Sequence, residues 1–255
     1  MSKSIFYIDP PHLIISAYSV EPEERTFYAA SRSVEGLGAV PGRAIEVAPS
    51  DVEFDWLSDL VGVKEVVVTD KSAKSGIHSR PGMRVIRAEF ELKRLGMLVL
   101  EYGARGPGDR HPIGIALSAG ALGIPFHLLS KKQRGDARYI ATWSHDALQV
   151  LVRLPGVLYG TFNVEATMPT PSQLSGSTDL AADLFVSHML LAKAGIGARL
   201  QNLYIEWGGR FEMWPEGIFF TGWNPALGDS GNILELGRVR RVSAKLLSRA
   251  ISEVS

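Results

Sequence analysis

Two aspartates four residues apart are the first feature of this sequence that could carry chemistry. Asp179 and Asp183 lie in the stretch GSTDLAADLFVSHMLLAKAG, residues 176–195, whose apolar spacing predicts a helix. Residues four apart lie on one helix face, and clustered carboxylates are the ligands that hard divalent cations prefer. The alternative is that Asp179 complements the helix dipole after Ser177 and Thr178, and that Asp183 lies on a solvated face.

Further acids lie at the ends of predicted strands. Asp9 closes the run SIFYIDP, Asp70 closes KEVVVTD, and Glu101 lies near the end of MLVLEYG. Such acids are also common in turns and at exposed strand ends, which is the alternative interpretation. Of Asp70 and Glu101, Glu101 is the stronger candidate to bind a metal ion together with the other acids, because its strand leads directly into a glycine-rich loop.

That loop, GARGPGDRHPIG at residues 103–114, is the most informative single loop of the chain. It carries Arg105, Arg110 and His111 directly before a predicted helix. Backbone N–H groups at a helix N-terminus form a natural anion site, and arginines clamp phosphates. The loop therefore predicts binding of a phosphate, either of a nucleic acid or of a small nucleotide. The alternative is an ordinary glycine- and proline-containing loop.

Basic residues form two further groups. Lys131 and Lys132 begin the segment SKKQRGDAR, which is either a phosphate-contacting loop or a solvated charged turn. The last predicted helix is also basic, and aromatic residues precede it, so the two together could bind single strands. We prefer to place the aromatics in a core, since tryptophan and tyrosine are buried on average. The basic residues of that helix are Arg238, Arg240, Arg241, Lys245 and Arg249.

Composition limits the class of protein. The 255 residues carry 27 basic and 27 acidic side chains, so no global basic field favours a nucleic acid, although a local basic patch is compatible. The absence of cysteine excludes disulfides, thiolate zinc sites and a cysteine nucleophile, and it fits a reducing compartment. No segment approaches 18 uninterrupted apolar residues, so we expect no signal peptide, no membrane span and a cytoplasmic location.

The predicted elements indicate an α/β fold with a mixed sheet and helices on both faces. Residues 1–150 would form the α/β core, and 151–255 a completing helix, a small aromatic-rich antiparallel β-region and a terminal helix. Strands are predicted over residues 4–10, 12–20 and 26–34, the last two joined in a hairpin by the polar turn EPEER, and over 64–70 as a buried parallel strand. Residues 97–102 either extend the helix predicted over 83–95 or form a strand after Gly96. Further strands are predicted over 124–130 and 157–167, with a β-region over 200–225. The predicted helices cover residues 50–62, 83–95, 109–123, 144–156, 176–195 and 237–251.

This order of elements resembles the Holliday-junction resolvase (RuvC-like) branch of the ribonuclease H-like superfamily over residues 4–195. The resemblance rests on YIDP near the start, MLVLEYG, IPFHLLSKKQ after a small-residue helix, and TDLAADLF. It implies a ribonuclease H-like fold in which two magnesium ions activate a water and stabilise the leaving oxygen of a phosphodiester. The metal ligands and catalytic residues would be Asp9, Glu101, Asp179 and Asp183.

On this hypothesis the protein is a metal-dependent nuclease acting on nucleic acid. The residues expected to hold its phosphates are Arg105, Arg110, His111, Lys131 and Lys132. Two alternatives stay open: a Rossmann-like protein that binds a nucleotide or small phosphorylated ligand at residues 103–114, and a non-catalytic nucleic-acid-binding or assembly subunit. Zero net charge favours these two over a general nuclease.

Overall fold

The computed structural model of the chain describes residues 6–50, 65–68 and 82–254, except 121, 123, 125, 194 and 223–232. Within these residues the strands are β1 (His12–Ser19), β2 (Val40–Pro49), β3 (Glu65–Val68), β4 (Met83–Leu92), β5 (Gly96–Tyr102), β6 (Ile113–Ser118), β7 (Val157–Val164), β8 (Asp183–Ser187), β9 (Arg210–Trp214) and β10 (Gly217–Thr221). The helices are α1 (Glu23–Gly36), α2 (Lys131–Leu151), α3 (His188–Leu191), α4 (Ile196–Trp207) and α5 (Ile233–Ser252). Short 3-10 helices lie at Phe126–Leu128 and Pro171–Gln173.

All of these strands belong to one ten-stranded sheet, in the order β3-β2-β4-β5-β6-β1-β7-β8-β10-β9. Each neighbouring pair of described strands is antiparallel. The prediction of a mixed, ribonuclease H-like sheet is therefore wrong, because such a fold needs parallel neighbours as well. Strands from before and after residue 150 share this sheet, since β1 pairs with β7.

The segment Met83–Tyr102 is a β-hairpin, where the sequence predicts a helix over residues 83–95. Ile86, Ala88 and Phe90 are buried at every second position, and the charged residues between them point to the other face. That period of two belongs to a strand. Gly96 has φ of 80° at the start of β5, a conformation that suits glycine.

Helix α1 replaces the strand predicted over residues 26–34. Phe27, Ala30 and Val34 are buried at helical spacing. Pro22 precedes the helix, and Glu23 and Glu24 lie in its first turn, where acids complement the helix dipole. The polar segment EPEER is thus a helix start rather than a hairpin turn.

The helix predicted over residues 176–195, on which the pairing of the two aspartates depends, is formed only at His188–Leu191, as α3, and not over residues 176–187. Asp183 begins β8, and Asp179 lies in the irregular segment before it. The apolar run of β8 is buried against both neighbouring strands, and such short runs have no period that separates strand from helix. The same ambiguity explains why the prediction of a helix over 109–123 is wrong, since the centre of this segment forms strand β6.

Other predictions have mixed outcomes. The strands over 12–20 and 157–167 are confirmed as β1 and β7, the end of the 200–225 region as β9 and β10, and the terminal helix as α5. The start of that region, LQNLYIEWGG, forms α4 instead, because its buried residues recur at helical spacing. Residues 7–9 form no strand, and β3 pairs antiparallel with β2 rather than in parallel. Asp70 and the helix predicted over 50–62 lie outside the described residues.

Helices pack on both faces of the sheet. Phe27 of α1 and Ala147 of α2 share a hydrophobic cluster with Ile15 of β1. Leu200 of α4 and Leu247 of α5 pack in a second cluster on the opposite face, over β7, β8 and β10. Among the described helices, none is both long enough and apolar enough to cross a bilayer.

Candidate functional site

Two long loops meet beside the start of α1. One joins β5 to β6, and the other joins β7 to β8. The Gly106 N–H donates to Thr170 Oγ1 at 2.8 Å, and the Asp109 carboxylate accepts from the Ser172 N–H at 2.8 Å and from its hydroxyl at 2.7 Å. A Cβ on Gly106 would overlap Ser172 Oγ, so this close approach requires glycine. The second loop therefore fixes the conformation of the first.

The loop between β5 and β6 forms one wall of a polar cavity of about 330 Å³. The opposite wall comes from the first turn of α1 and from β4. Three guanidinium groups, two carboxylates and one imidazole line it. The lining residues are Glu23, Arg84, Arg105, Gly108, Asp109, Arg110 and His111. We refer to this space as the arginine cavity.

Glu23 is already engaged by groups of the protein. Its Oε2 lies 3.1 Å from Arg84 Nη1, and both side chains are only 12% exposed. Its Oε1 accepts a hydrogen bond from the His111 N–H at 2.8 Å. The position in the first turn of α1 stabilises the negative charge further. The pair therefore holds α1, β4 and the loop together at the cavity wall.

The other charged groups of the arginine cavity are Asp109, Arg105 and Arg110. The Asp109 carboxylate is occupied by Ser172, and Arg105 Nη1 donates to the Asp109 carbonyl at 2.8 Å. The exposed guanidinium of Arg110 has no hydrogen-bond or ion-pair partner among the residues that the structure describes. Both acids are thus satisfied, whereas at least one cation is available to a ligand.

Aromatic side chains lie beside the arginine cavity, where Tyr102 contacts His111 and the Tyr18 hydroxyl accepts from the Arg110 N–H. His111 is 5% exposed, and its Nδ1 lies 2.8 Å from the Gly103 carbonyl. Since a carbonyl only accepts, Nδ1 carries the proton. Burial raises the pKa of the Tyr18 hydroxyl. Burial is also the larger cause of the raised pKa of Tyr102, and the negative charge of Glu23 is the second cause. Both tyrosines therefore stay neutral at ordinary pH and add no negative charge.

The four acids predicted to bind magnesium occupy separate environments. Glu101 Oε2 accepts from Arg87 Nε at 2.7 Å, and Arg87 also pairs with Glu46 at 3.3 Å. Asp9 and Asp179 are exposed in irregular segments. Within the described part of the chain, no group of three or more His, Asp or Glu residues is placed to hold a metal ion.

Asp183 accepts a hydrogen bond from the Thr221 hydroxyl across the β8–β10 pair. It lines a separate, mostly apolar cavity of about 250 Å³, together with Phe162, Trp207 and Arg240. The magnesium site stays a prediction. A calorimetric titration of magnesium into the wild type and an Asp9→Asn, Asp183→Asn double variant would decide it.

The predicted phosphate-binding residues divide into two groups. Arg105, Arg110 and His111 line the arginine cavity together, as their proximity in sequence suggests. Lys131 and Lys132 are exposed in the first turn of α2, between the capping-box residues Ser130 and Gln133, and are not among the described residues that line the cavity.

Sequence reasoning missed Glu23 and Arg84. Arg84 lies within residues that the sequence predicts as a helix, and Glu23 lies in a segment predicted as a turn. The available signal was Pro22 followed by two glutamates, which is typical of a helix N-terminus.

Comparison with protein-family models, with curated protein sequences and with solved structures finds no match to this chain. The resemblance to Holliday-junction resolvases therefore rests on sequence pattern alone. Arguments about function rest on the geometry of the arginine cavity and on the surface of the molecule.

Proposed function

We propose that this protein binds a small phosphorylated ligand in the arginine cavity. The observation that carries the proposal is the convergence of Arg84, Arg105 and Arg110 on one cavity whose two carboxylates are already satisfied. Arginine guanidinium groups donate paired hydrogen bonds that match the oxygens of a phosphate. The proposal keeps the ligand chemistry predicted from residues 103–114, without a Rossmann-like fold.

Charge and size both support a compact anion. Three arginines against two acids, Glu23 and Asp109, give these five groups of the wall an excess of one positive charge. The volume of about 330 Å³ lies at the lower end of the range for small-molecule sites, about 300 to 1,000 Å³. A phosphate ester or the phosphate end of a mononucleotide fits this description better than an extended dinucleotide.

The three arginines have different degrees of preorganisation. Arg84 is held by Glu23, and Arg105 by the Asp109 carbonyl, so both guanidinium groups are positioned before a ligand arrives. Arg110 is exposed and can move to close on the anion. Preorganised donors lower the entropic cost of binding. Arg110 is therefore the residue whose loss should reduce affinity with the least effect on the fold.

Calorimetric titration with inorganic phosphate, pyrophosphate and ADP tests the proposal. A charge-assisted hydrogen bond contributes about 1.5 to 3 kcal/mol, so Arg110→Ala should weaken binding about 10- to 100-fold. Arg199→Ala removes an exposed arginine from α4, outside the arginine cavity, and is the matched control, for which unchanged affinity is expected. Failure of all three anions to bind at millimolar concentration, or equal losses in both variants, would contradict the proposal.

A further inference from the structure

Every exposed residue of α5 between Leu236 and Ile251 is basic. The spacing of these residues, three, four and then four, places them on one face of the helix. Eleven residues separate the first from the last, which is about 16 Å at the helical rise. We name this set the α5 basic stripe; its members are Arg238, Arg241, Lys245 and Arg249.

The α5 basic stripe has little opposing charge. The sequence from Leu236 to Ser252 contains no aspartate or glutamate. Arg238 lies 3.8 Å from Glu206 of α4, and both side chains are largely exposed. Arg241, Lys245 and Arg249 have no ion-pair partner among the described residues. The stripe is therefore a local concentration of positive charge in a chain whose total formal charge is zero.

The fold alone does not account for this arrangement. Like charges four residues apart destabilise a helix, and the stripe contains two such pairs, 241 with 245 and 245 with 249. The helix dipole favours cations only in the last turn, which explains Arg249 and not the others. Packing is supplied by the opposite face, where Val239, Leu246 and Leu247 are buried. The stripe is suited instead to a polyanion that offsets its self-repulsion.

We propose that the α5 basic stripe binds the phosphate backbone of a nucleic acid duplex. One strand of a duplex presents a phosphate about every 3.4 Å along the axis, so a straight row of cations about 16 Å long can contact several. The exposed residues of α5 in this range include no aromatic side chain on which unpaired bases could stack. The apolar face of α5 is buried in the protein's own core, so the helix cannot insert into a lipid surface as an amphipathic anchor does. The proposal does not rest on the arginine cavity.

The salt dependence of binding to a short fluorescent duplex tests the proposal, measured by anisotropy between about 50 and 200 mM salt. Four phosphate contacts predict a slope of about −3.6 for the logarithm of affinity against the logarithm of salt concentration. Arg241→Gln with Lys245→Gln should reduce the slope to about −1.8 and weaken binding at low salt. Arg43→Gln with Lys93→Gln removes the same charge from exposed sites outside α5 and should leave the slope unchanged.

Three outcomes would overturn the proposal. The first is no duplex binding at the lowest salt concentration, or equal losses in the stripe variant and the control variant. The second is tighter binding to phosphatidylserine vesicles than to the duplex, lost in the stripe variant, which would indicate a membrane surface. The third is loss of duplex binding in Arg110→Ala with binding retained in the stripe variant, which would place the contact at the arginine cavity.

Discussion

Replacing Glu23 by glutamine should lower the stability of the protein and raise its affinity for anions. Glu23 lies 3.1 Å from Arg84 and accepts the His111 N–H at 2.8 Å. Glutamine keeps the shape and one acceptor oxygen but removes the charge. Because hydrogen bonds to charged groups contribute about 1.5 to 3 kcal/mol, the free energy of unfolding should fall by about 2 kcal/mol.

The gain in affinity follows from the same charge. A carboxylate about 6 Å from a bound anion, in an effective dielectric constant of about 40, repels it by about 1.4 kcal/mol. Removing that charge corresponds to about a tenfold gain in affinity. Arg84 is also released from its ion pair and becomes available to the ligand. Stability and affinity should therefore change in opposite directions.

Urea unfolding and calorimetric titration with pyrophosphate measure the two effects separately. Glu46→Gln is the matched control, because Glu46 pairs with Arg87 at 3.3 Å and its side chain is only 13% exposed. Glu46 is not among the described residues that line the arginine cavity. The control should lose a similar amount of stability and keep wild-type affinity for pyrophosphate.

The reasoning fails if Glu23→Gln binds pyrophosphate no more tightly than the wild type. It also fails if the control gains as much, since the effect would then reflect total charge rather than the cavity. A loss of stability without any change in affinity would leave the Glu23–Arg84 pair as a purely structural contact and would remove the electrostatic basis of the proposed function.

Further predictions concern the loops, a helix cap and the buried tyrosines. Gly106→Ala should separate the two loops, because its Cβ overlaps Ser172, and should cost about 1 to 3 kcal/mol in urea unfolding together with a loss of pyrophosphate affinity. Ser130→Ala removes the capping box with Gln133 and should lower the free energy of unfolding by about 1 kcal/mol, with anion affinity unchanged. Burial raises the pKa of Tyr204, and also that of Tyr102 and Tyr159, above the ordinary value of 10.0. The unfolded chain then releases these protons first, so stability is fully present below pH 10 and is lost above it by about 1.4 kcal/mol per pH unit for each tyrosine; Tyr204→Phe should lose stability less steeply.

The sequence predicts elements of this fold where the periodicity is unambiguous and fails where runs are short. Helix α5 has a clear amphipathic period, and it is confirmed. Strand β6 is short and apolar, so its six residues fit a helix or a strand equally well. The antiparallel order of the sheet depends on contacts between distant strands, such as β1 with β6 and β7, which no local pattern contains.

The same distinction separates the two site predictions. The pairing of Asp179 with Asp183 depended on a helix, because only helical geometry brings residues four apart onto one face. With Asp183 at the start of β8 and Asp179 in the segment before it, that geometric argument no longer holds. The grouping of Arg105, Arg110 and His111 needed only a compact loop, and it survives the change of fold. Arg84 of β4 also lines the cavity, but it could not be predicted from the sequence, because only the pairing of β4 with β5 places it beside the loop.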